Sequence, residues 1–311
     1  MRRLAATVLF VGMLGVSAQA ADIGGSAVRP DIVTLSASLG HLNGEAKERV
    51  YRRNGQKLSE LVWDMQHALV LNGGVSLQAA DWLTVYGNAS VGLAADNTMD
   101  DYDWLGAPRP DQPNMHSWHD DTELDHYYTL DAGVSLLLLE TGFNRFSLLG
   151  GFKYTDVKWS ASGGCYDYEY FDRRGCIDDD LKVISYRQSL PALYGGLGYA
   201  GAFDRWSVAL EGRFGMTLSG AEADDDHWLR KINFVDHLNP APYLALNGKA
   251  GYAVSEKADV FASVAFDKFF EMRGETTYTE TDTGFSVRSD YDTGGADLYT
   301  LNIAIGVDYR F

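Results

Sequence analysis

The sequence predicts an all-β protein, a single antiparallel β-barrel of ten strands that crosses a membrane and extends above it. Three observations lead to this prediction. The chain begins with an export signal, apolar and polar residues then alternate along most of its length, and its last strand ends in an aromatic residue, Phe311. After the signal, no stretch has the roughly 18 consecutive apolar residues of a membrane-spanning helix.

The first twenty residues have the features of a secretory signal peptide. Arg2 and Arg3 precede a short apolar run, and the small residues Ala18 and Ala20 follow it. The apolar run is too short to span a membrane, so we expect cleavage after Ala20. The predicted organisation is a signal peptide, residues 1–20, and one barrel domain, residues 21–311.

The chain is strongly acidic, with 43 Asp and Glu against 26 Lys and Arg, two of which lie in the signal peptide. A surface of this charge repels nucleic acid and attracts cationic partners. We therefore expect no nucleic-acid partner.

The alternation has a period of two, with one apolar face and one polar face. Apolar residues occupy alternate positions from Trp206 to Leu218 and again from Leu301 to Phe311, whereas Glu211 lies on the opposite face. A membrane barrel points its apolar face into lipid and its polar face into the lumen. The 18 Tyr, 14 Phe and 7 Trp could form aromatic girdles. A secreted all-β domain remains the alternative, because each strand signal is weak by itself.

The alternation divides the chain into ten strands of a barrel too narrow for a general diffusion pore. The strands are expected near residues 31–42, 57–78, 82–95, 122–139, 145–162, 182–200, 204–219, 240–254, 258–272 and 295–311.

The predicted connections alternate in length. Short turns fall at "AAD", "ETGFN", "GAFD" and "SEKA". Because membrane barrels have short periplasmic turns and long outer loops, we expect the long connections on the cell exterior. These are residues 43–56, 96–121, 163–181, 220–239 and 273–294.

The two cysteines, Cys165 and Cys176, lie in the third long connection. In an exported protein they are expected to form a disulfide that closes a small surface loop. No neighbouring histidine or third cysteine favours a catalytic or metal-bound thiol.

Two outer connections contain short-spaced polar pairs, Asp101 with Asp103 and Asp225 with His227. Residues two apart on a strand share a face, so the pairs could meet across a cleft. A histidine oriented by a carboxylate is a competent base, and close carboxylates tend to hold one proton. Solvated acidic loops and a metal site stay open as alternatives, although no HExxH motif is present.

The chain resembles the omptin family, outer-membrane aspartic-type endopeptidases of Gram-negative bacteria. The resemblance covers the mature chain and is carried, in this order, by "KERVY" (47–51), "MDDYDWL" (99–105), "HSWHDDTEL" (116–124) and "DDDHW" (224–228). It implies that His227 is a general base oriented by Asp225, and that Asp101 and Asp103 position the attacking water and stabilise the oxyanion.

The resemblance also implies residues that contact substrate. Glu48 would lie in the pocket for the basic side chain preceding the cut, the P1 residue. The family's second acid of this pocket would fall at Ala223, between Glu222 and Asp224, so Asp224 is a candidate substitute. The remaining expected cleft residues are Met99, Ser117, His119 and Ile184.

Other positions depart from the family pattern. An acid that shapes the primed side of the cleft in some members aligns with Met115. The Tyr-x-Glu-x-Arg motif that binds lipopolysaccharide aligns with Phe152, Tyr154 and Asp156, and its supporting arginine with Ser189. The sequence thus does not match the lipid motif, although the family implies a possible lipopolysaccharide requirement.

The resemblance predicts a monomeric surface endopeptidase, facing the cell exterior, that cuts cationic peptides and proteins beside Arg or Lys. Its other expected partner is outer-membrane lipid, and we expect no cofactor and no metal. The alternatives are a catalytically silent adhesin or binding barrel, and a metal-dependent hydrolase.

Overall fold

A computed structural model describes residues 32–106 and 112–311. The predicted signal peptide lies outside these residues. Within them, no helix is long and apolar enough to cross a membrane.

Fourteen antiparallel strands account for most of the described chain. Ten of them correspond to the ten predicted strands, which confirms the number and order of the barrel strands. The strands are β1 (Val33–Tyr51), β2 (Lys57–Ala80), β3 (Leu83–Asp103), β4 (Met115–Thr141), β5 (Asn144–Ser162), β6 (Cys165–Tyr168), β7 (Arg173–Cys176), β8 (Lys182–Phe203), β9 (Trp206–Thr217), β10 (Ala221–His227), β11 (Ile232–Leu238), β12 (Pro242–Ala253), β13 (Ala258–Glu280) and β14 (Ser286–Arg310).

The ten long strands form a closed ring. Each of β1 to β4 pairs with the next strand along the chain, β5 pairs with β8, and β8, β9, β12, β13 and β14 follow in order. The ring is completed by β1 and β14, which pair from Thr34 opposite Arg310 to Val50 opposite Gly294. A closed ring leaves no strand edge unpaired, as a barrel in lipid requires.

The strands extend further toward the outer end than the sequence predicts. Thus β3 continues to Asp103 and β4 already begins at Met115, so the predicted loop 96–121 is largely strand. At about 3.3 Å per residue, the 27 residues of β4 run about 90 Å, far more than a bilayer needs. The barrel therefore projects above the membrane.

The predicted loop 220–239 contains β10 and β11. They pair with β8 and β13, respectively, and continue the ring above β9 and β12. Gly220, at a φ of 101°, separates β9 from β10, and Pro240 precedes β12. Proline lacks a backbone donor, so pairing is interrupted there before it resumes higher up.

Alternation places opposite chemistry on the two faces of the wall. The predicted apolar faces of β9 and β14 point outward, as Phe214 and Ile305 do, both more than half exposed. The lumen at the same height is charged and paired, with Lys153 bonded to Asp267 at 2.6 Å and Arg213 to Asp131 at 2.5 Å. This is the arrangement expected of a membrane barrel.

Above this charged layer the lumen is filled by large apolar side chains. Trp63 stacks on Tyr186 and Trp159, with ring centroids 5.6 Å and 6.0 Å apart. All three side chains are fully buried. In register, Trp63 lies opposite Met99 and Tyr186 opposite Asp225. The aromatic layer thus closes the lumen next to the outer residues of β3 and β10.

Replacing Arg213 by Ala would leave Asp131 buried without its counter-ion. We expect a loss of about 3–5 kcal/mol in the free energy of unfolding, measured by guanidinium titration in detergent. The exposed Arg205, in the turn before β9, is the matched control, and Arg205→Ala should change stability little. Equal stability of the two variants would contradict this account of the lumen.

Candidate functional site

The two polar pairs face one another at the outer end of the barrel. Asp101 and Asp103 lie at the end of β3, and Asp225 and His227 at the end of β10. Both strands alternate so that these residues point inward: Met99, which shares their face, is buried in the core, as is Ala223 on β10. The continued strands, rather than loops, therefore present both pairs to one cleft.

His227 and Asp225 form a hydrogen-bonded dyad, with Nε2 2.7 Å from Oδ2. Asp225 is buried, and the ring of Phe234 meets the imidazole edge-on at 5.6 Å between centroids. When Nε2–H donates to Asp225, Nδ1 is left as the acceptor that faces away from the carboxylate. Nη1 of Arg230 lies 3.5 Å from this atom.

The carboxyl groups of Asp101 and Asp103 favour retention of a proton. Burial and the charge of Asp103 raise the pKa of Asp101 well above its ordinary value, against a hydrogen bond from Ser59 to Oδ1 at 3.2 Å. Burial also raises the pKa of Asp103, although Ser59, Arg230 and His227 oppose the shift. A carboxyl of the pair that keeps its proton can donate a hydrogen bond.

A cavity of about 200 Å³ lies between the pairs. Asp101 and His227 both line it, together with Arg230 and residues of β4, β6 and β8. Its walls include the four cleft residues expected from the sequence, Met99, Ser117, His119 and Ile184. Burial lowers the pKa of His119, so its imidazole is neutral at physiological pH.

The disulfide predicted between Cys165 and Cys176 is present. It links β6 to β7, and β6 pairs with the start of β4 from Met115 to Trp118. Cys165, Tyr166 and Tyr168 line the cavity. The small loop expected from the sequence is therefore a cross-linked hairpin that forms one wall of the cleft.

The two pairs do not combine into a metal-binding cluster in the structure. Within residues 32–106 and 112–311, no group of three or more His, Cys, Asp or Glu is arranged to hold a metal ion.

Glu48 lies beside Asp225 and is not among the residues that line the cavity. It is 4% exposed, and its Oε2 has no hydrogen-bond partner. Burial, followed by the charges of Asp225 and Asp236, raises the pKa of Glu48 well above its ordinary value. The structure thus brings Glu48 next to the dyad but leaves it without a counter-ion.

A second buried acid, Asp236, lies near Glu48 and was not predicted from the sequence. Asp236 interrupts the inward-facing run Phe234, Asp236, Leu238 of β11, and this lone acid on an apolar face is the signal that could have identified it. Burial is the main reason that the pKa of Asp236 is raised to about 7.

The structure corrects the expectation that Asp224 lines the P1 pocket. Asp224 lies between the inward-facing Ala223 and Asp225, so it points to the outside of the wall. There it accepts a hydrogen bond from Nδ2 of Asn233 at 2.6 Å, and Asn233 also binds Asp226 at 3.0 Å. Neither outward-facing acid can contact a side chain in the cleft.

An outward-facing polar cluster lies on β5 and β8, beside the residues that align with the lipid motif. Tyr154, Asp156 and Lys158 share the outer face of β5, which is a conservative version of Tyr-x-Glu-x-Arg two residues later than the alignment from sequence. Arg187 lies opposite Lys158, whereas Ser189 lies opposite Asp156. The guanidinium of this cluster is that of Arg187, whereas the residue aligned with the supporting arginine is Ser189.

The carboxylate of Asp156 organises this outer cluster. It accepts hydrogen bonds from Arg187 Nε at 2.9 Å and Nη2 at 2.6 Å, and from the Tyr154 hydroxyl at 2.8 Å. Nε2 of His126 lies 2.6 Å from it. Arg187 and Lys158 are the two cations of the cluster, and the outward-facing Asp224 lies opposite Arg187 in register.

Comparison with known proteins gives a consistent result. The family model described as "Omptin family" matches residues 29–311. The chain is 29% identical over 287 residues to the plasminogen activator of Yersinia pestis, with 91% of each protein covered. It is 27% identical to the outer membrane protease OmpP of Escherichia coli (strain K12), covering 99% of this chain and 97% of that protein.

A solved structure shows the same fold. The crystal structure of the outer membrane protease OmpT from Escherichia coli superposes with a TM-score of 0.83 at 23% sequence identity. The match covers 91% of this chain and 98% of that one.

Asp236 should destabilise the protein in a pH-dependent manner. Its ordinary pKa of 3.8 is raised to about 7 in the folded state. The folded state thus binds more protons between these values, and stability falls as pH rises through this window. Asp236→Asn should be more stable than the parent at pH 8 and similar to it below pH 4, measured by guanidinium unfolding in detergent. A gain independent of pH, or one equalled by the outward-facing Asp226→Asn, would contradict the assignment.

Proposed function

The chain belongs to the omptin family of outer-membrane proteases, and we propose that it is a surface endopeptidase that hydrolyses peptide bonds beside Arg or Lys. The observation that carries this proposal is the cavity between an Asp pair and an Asp–His dyad at the outer end of the barrel. Substrates can reach it from the cell exterior.

His227 is the proposed general base. Asp225 accepts the proton of Nε2, which fixes the tautomer and leaves Nδ1 to take a proton from water. The water oxygen attacks the scissile carbonyl carbon as this proton moves to Nδ1. The imidazolium then returns a proton to the amide nitrogen, the C–N bond breaks, and an amine and a carboxylate are released.

Asp101 and Asp103 would act on the carbonyl side of the reaction. The pair retains a proton because burial and mutual repulsion raise the pKa of Asp101. A neutral carboxyl can position the water and donate a hydrogen bond to the oxygen that becomes negative in the tetrahedral intermediate. Ser59 holds Asp101 through the bond to Oδ1.

The remaining cleft residues would position the peptide. Ser117 and neutral His119 offer polar contacts, whereas Met99 and Ile184 supply apolar walls. Glu48 would receive a cationic P1 side chain, because it is buried beside the dyad without a counter-ion. The acidity of the chain would also draw cationic peptides toward the cleft.

We further propose that the outer cluster of Tyr154, Asp156, Lys158 and Arg187 binds a phosphate of outer-membrane lipid. Arg187 presents a guanidinium that is less than half exposed and held in place by both oxygens of Asp156. A fixed guanidinium with a neighbouring ammonium suits a phosphate group.

Replacing the proposed base, or one acid of the Asp pair, should strongly slow cleavage while leaving the fold intact. We expect His227→Ala and Asp101→Ala each to reduce kcat by about 10²–10⁴-fold on a fluorogenic Arg-Arg peptide, because each loses proton transfer or charge stabilisation. Purified, refolded protein in detergent is assayed with and without lipopolysaccharide.

Asp226→Asn is the matched control, since Asp226 points away from the cleft. It should retain the parent rate. Equal rates of parent, His227→Ala and Asp101→Ala would refute the mechanism. Absence of cleavage by the parent, with binding of the peptide retained, would instead support the catalytically silent barrel.

If the outer cluster binds lipid phosphate, a substitution in it should impair the response to lipid while the proposed catalytic residues stay in place. Arg187→Ala should weaken the response of the cleavage rate to added lipopolysaccharide, because phosphate loses its fixed guanidinium. The response is measured as the lipopolysaccharide concentration giving half-maximal activity, with the exposed Arg205→Ala as control. An unchanged concentration dependence for Arg187→Ala would rule out this cluster as the phosphate site.

A further inference from the structure

A row of inward-facing residues crosses three strands next to the dyad. Ala223 on β10 lies in register with Gln188 on β8 and with Asp236 on β11. Ala223 is the position at which the family resemblance places the second acid of the P1 pocket. Position 223 of β10 therefore carries no acid, but its register partner on β11, Asp236, carries a carboxylate.

The side chain of Asp236 is held in the interior of the barrel. It is 7% exposed, and Oδ1 accepts a hydrogen bond from Thr276 Oγ1 at 2.6 Å. The carboxylate lies over Gly294 of β14, where any larger residue would place its Cβ in contact with it. Gly294 lies opposite Val50 of β1, two residues from Glu48, so the carboxylate reaches toward the strand that carries Glu48.

Glu48 and Asp236 have no cationic partner among the described residues. Neither forms an ion pair, unlike the acids of the lower lumen such as Asp131 and Asp267. The interior around them instead holds a further acid, Asp225, and a buried carbonyl oxygen of Gln188, Oε1, without a hydrogen-bond partner.

This arrangement is unfavourable until a cation enters. Burying two carboxylates without a counter-ion is costly, and a guanidinium or ammonium between them would offset the cost. Glu48 lies beside Asp225, and Asp225 is hydrogen-bonded to His227. Glu48 is therefore close to the dyad. A cationic side chain held there belongs to a residue whose carbonyl is close to the dyad.

We propose that Asp236 is a specificity-determining residue, which with Glu48 forms the acid pair that selects a cationic P1 side chain. In this chain the second carboxylate of the pocket is on β11, at Asp236, and not on β10 at its register partner Ala223. This inference deepens the proposed function and rests on it for the identity of the bound side chain.

Two peptides that differ only at P1 test the proposal, one with Arg and one with citrulline, its neutral isostere. The parent should prefer Arg. Asp236→Asn should reduce the Arg-to-citrulline ratio of kcat/KM about ten- to a hundredfold, mainly through KM, because one charged hydrogen bond is lost.

A positional exchange separates pocket charge from general structural damage. The double variant Ala223→Asp/Asp236→Ala returns the acid to β10 and should recover much of the preference for Arg, whereas Asp236→Ala alone should not. Glu222→Gln, which removes an outward-facing acid of β10, is the matched control and should leave the ratio unchanged.

The same peptides, carrying a fluorophore, are also titrated against His227→Ala protein by fluorescence anisotropy, with and without Asp236→Asn. Arg-selective binding that depends on Asp236 supports the pocket even if no variant cleaves, in which case only the proposed function fails. A ratio that Asp236→Asn leaves unchanged, in cleavage or in binding, overturns the inference.

Discussion

The rest of the structure depends on the closure of the ring between β1 and β14. In lipid, an unpaired backbone group has no water to bind, so a sheet can cross the membrane only when every strand has two neighbours. Closure gives the wall an inside and an outside. Alternation then assigns each residue to lipid or lumen, and the same alternation continues above the membrane into β3 and β10.

The barrel treats buried charge differently at its two levels. In the membrane, lumen acids such as Asp131 and Asp267 have Arg213 and Lys153 as partners, and the result is a filled, neutralised interior. At the outer end, above the aromatic layer around Trp63, Glu48 and Asp236 are buried and form no ion pair with any residue that the structure describes. The missing counter-ions cost stability, and in the proposed function a cationic substrate side chain would supply the charge.

Alternation made much of this predictable from sequence, including the ten strands, the short turns and the shared face of Asp225 and His227. The same period of two places Asp224 on the outer face, opposite to Asp225, so its position outside the cleft could have been predicted from the sequence. The pairing of Ala223 with Asp236 could not be predicted, because the register of β10 with β11 depends on the turn that joins them, in which Lys231 has a positive φ of 56°. Strand extension was underestimated because polar residues above the membrane resemble loops.

The strand order has a consequence for when the active site exists. Four pairing steps separate β3 from β10 through β4, β5 and β8. At about 4.8 Å per step, an open sheet would hold Asp101 and His227 about 19 Å apart and facing the same way. Only curvature into a finished cylinder turns them toward each other. The proposed active site is therefore complete only when the ring is closed, and the unassembled chain lacks it.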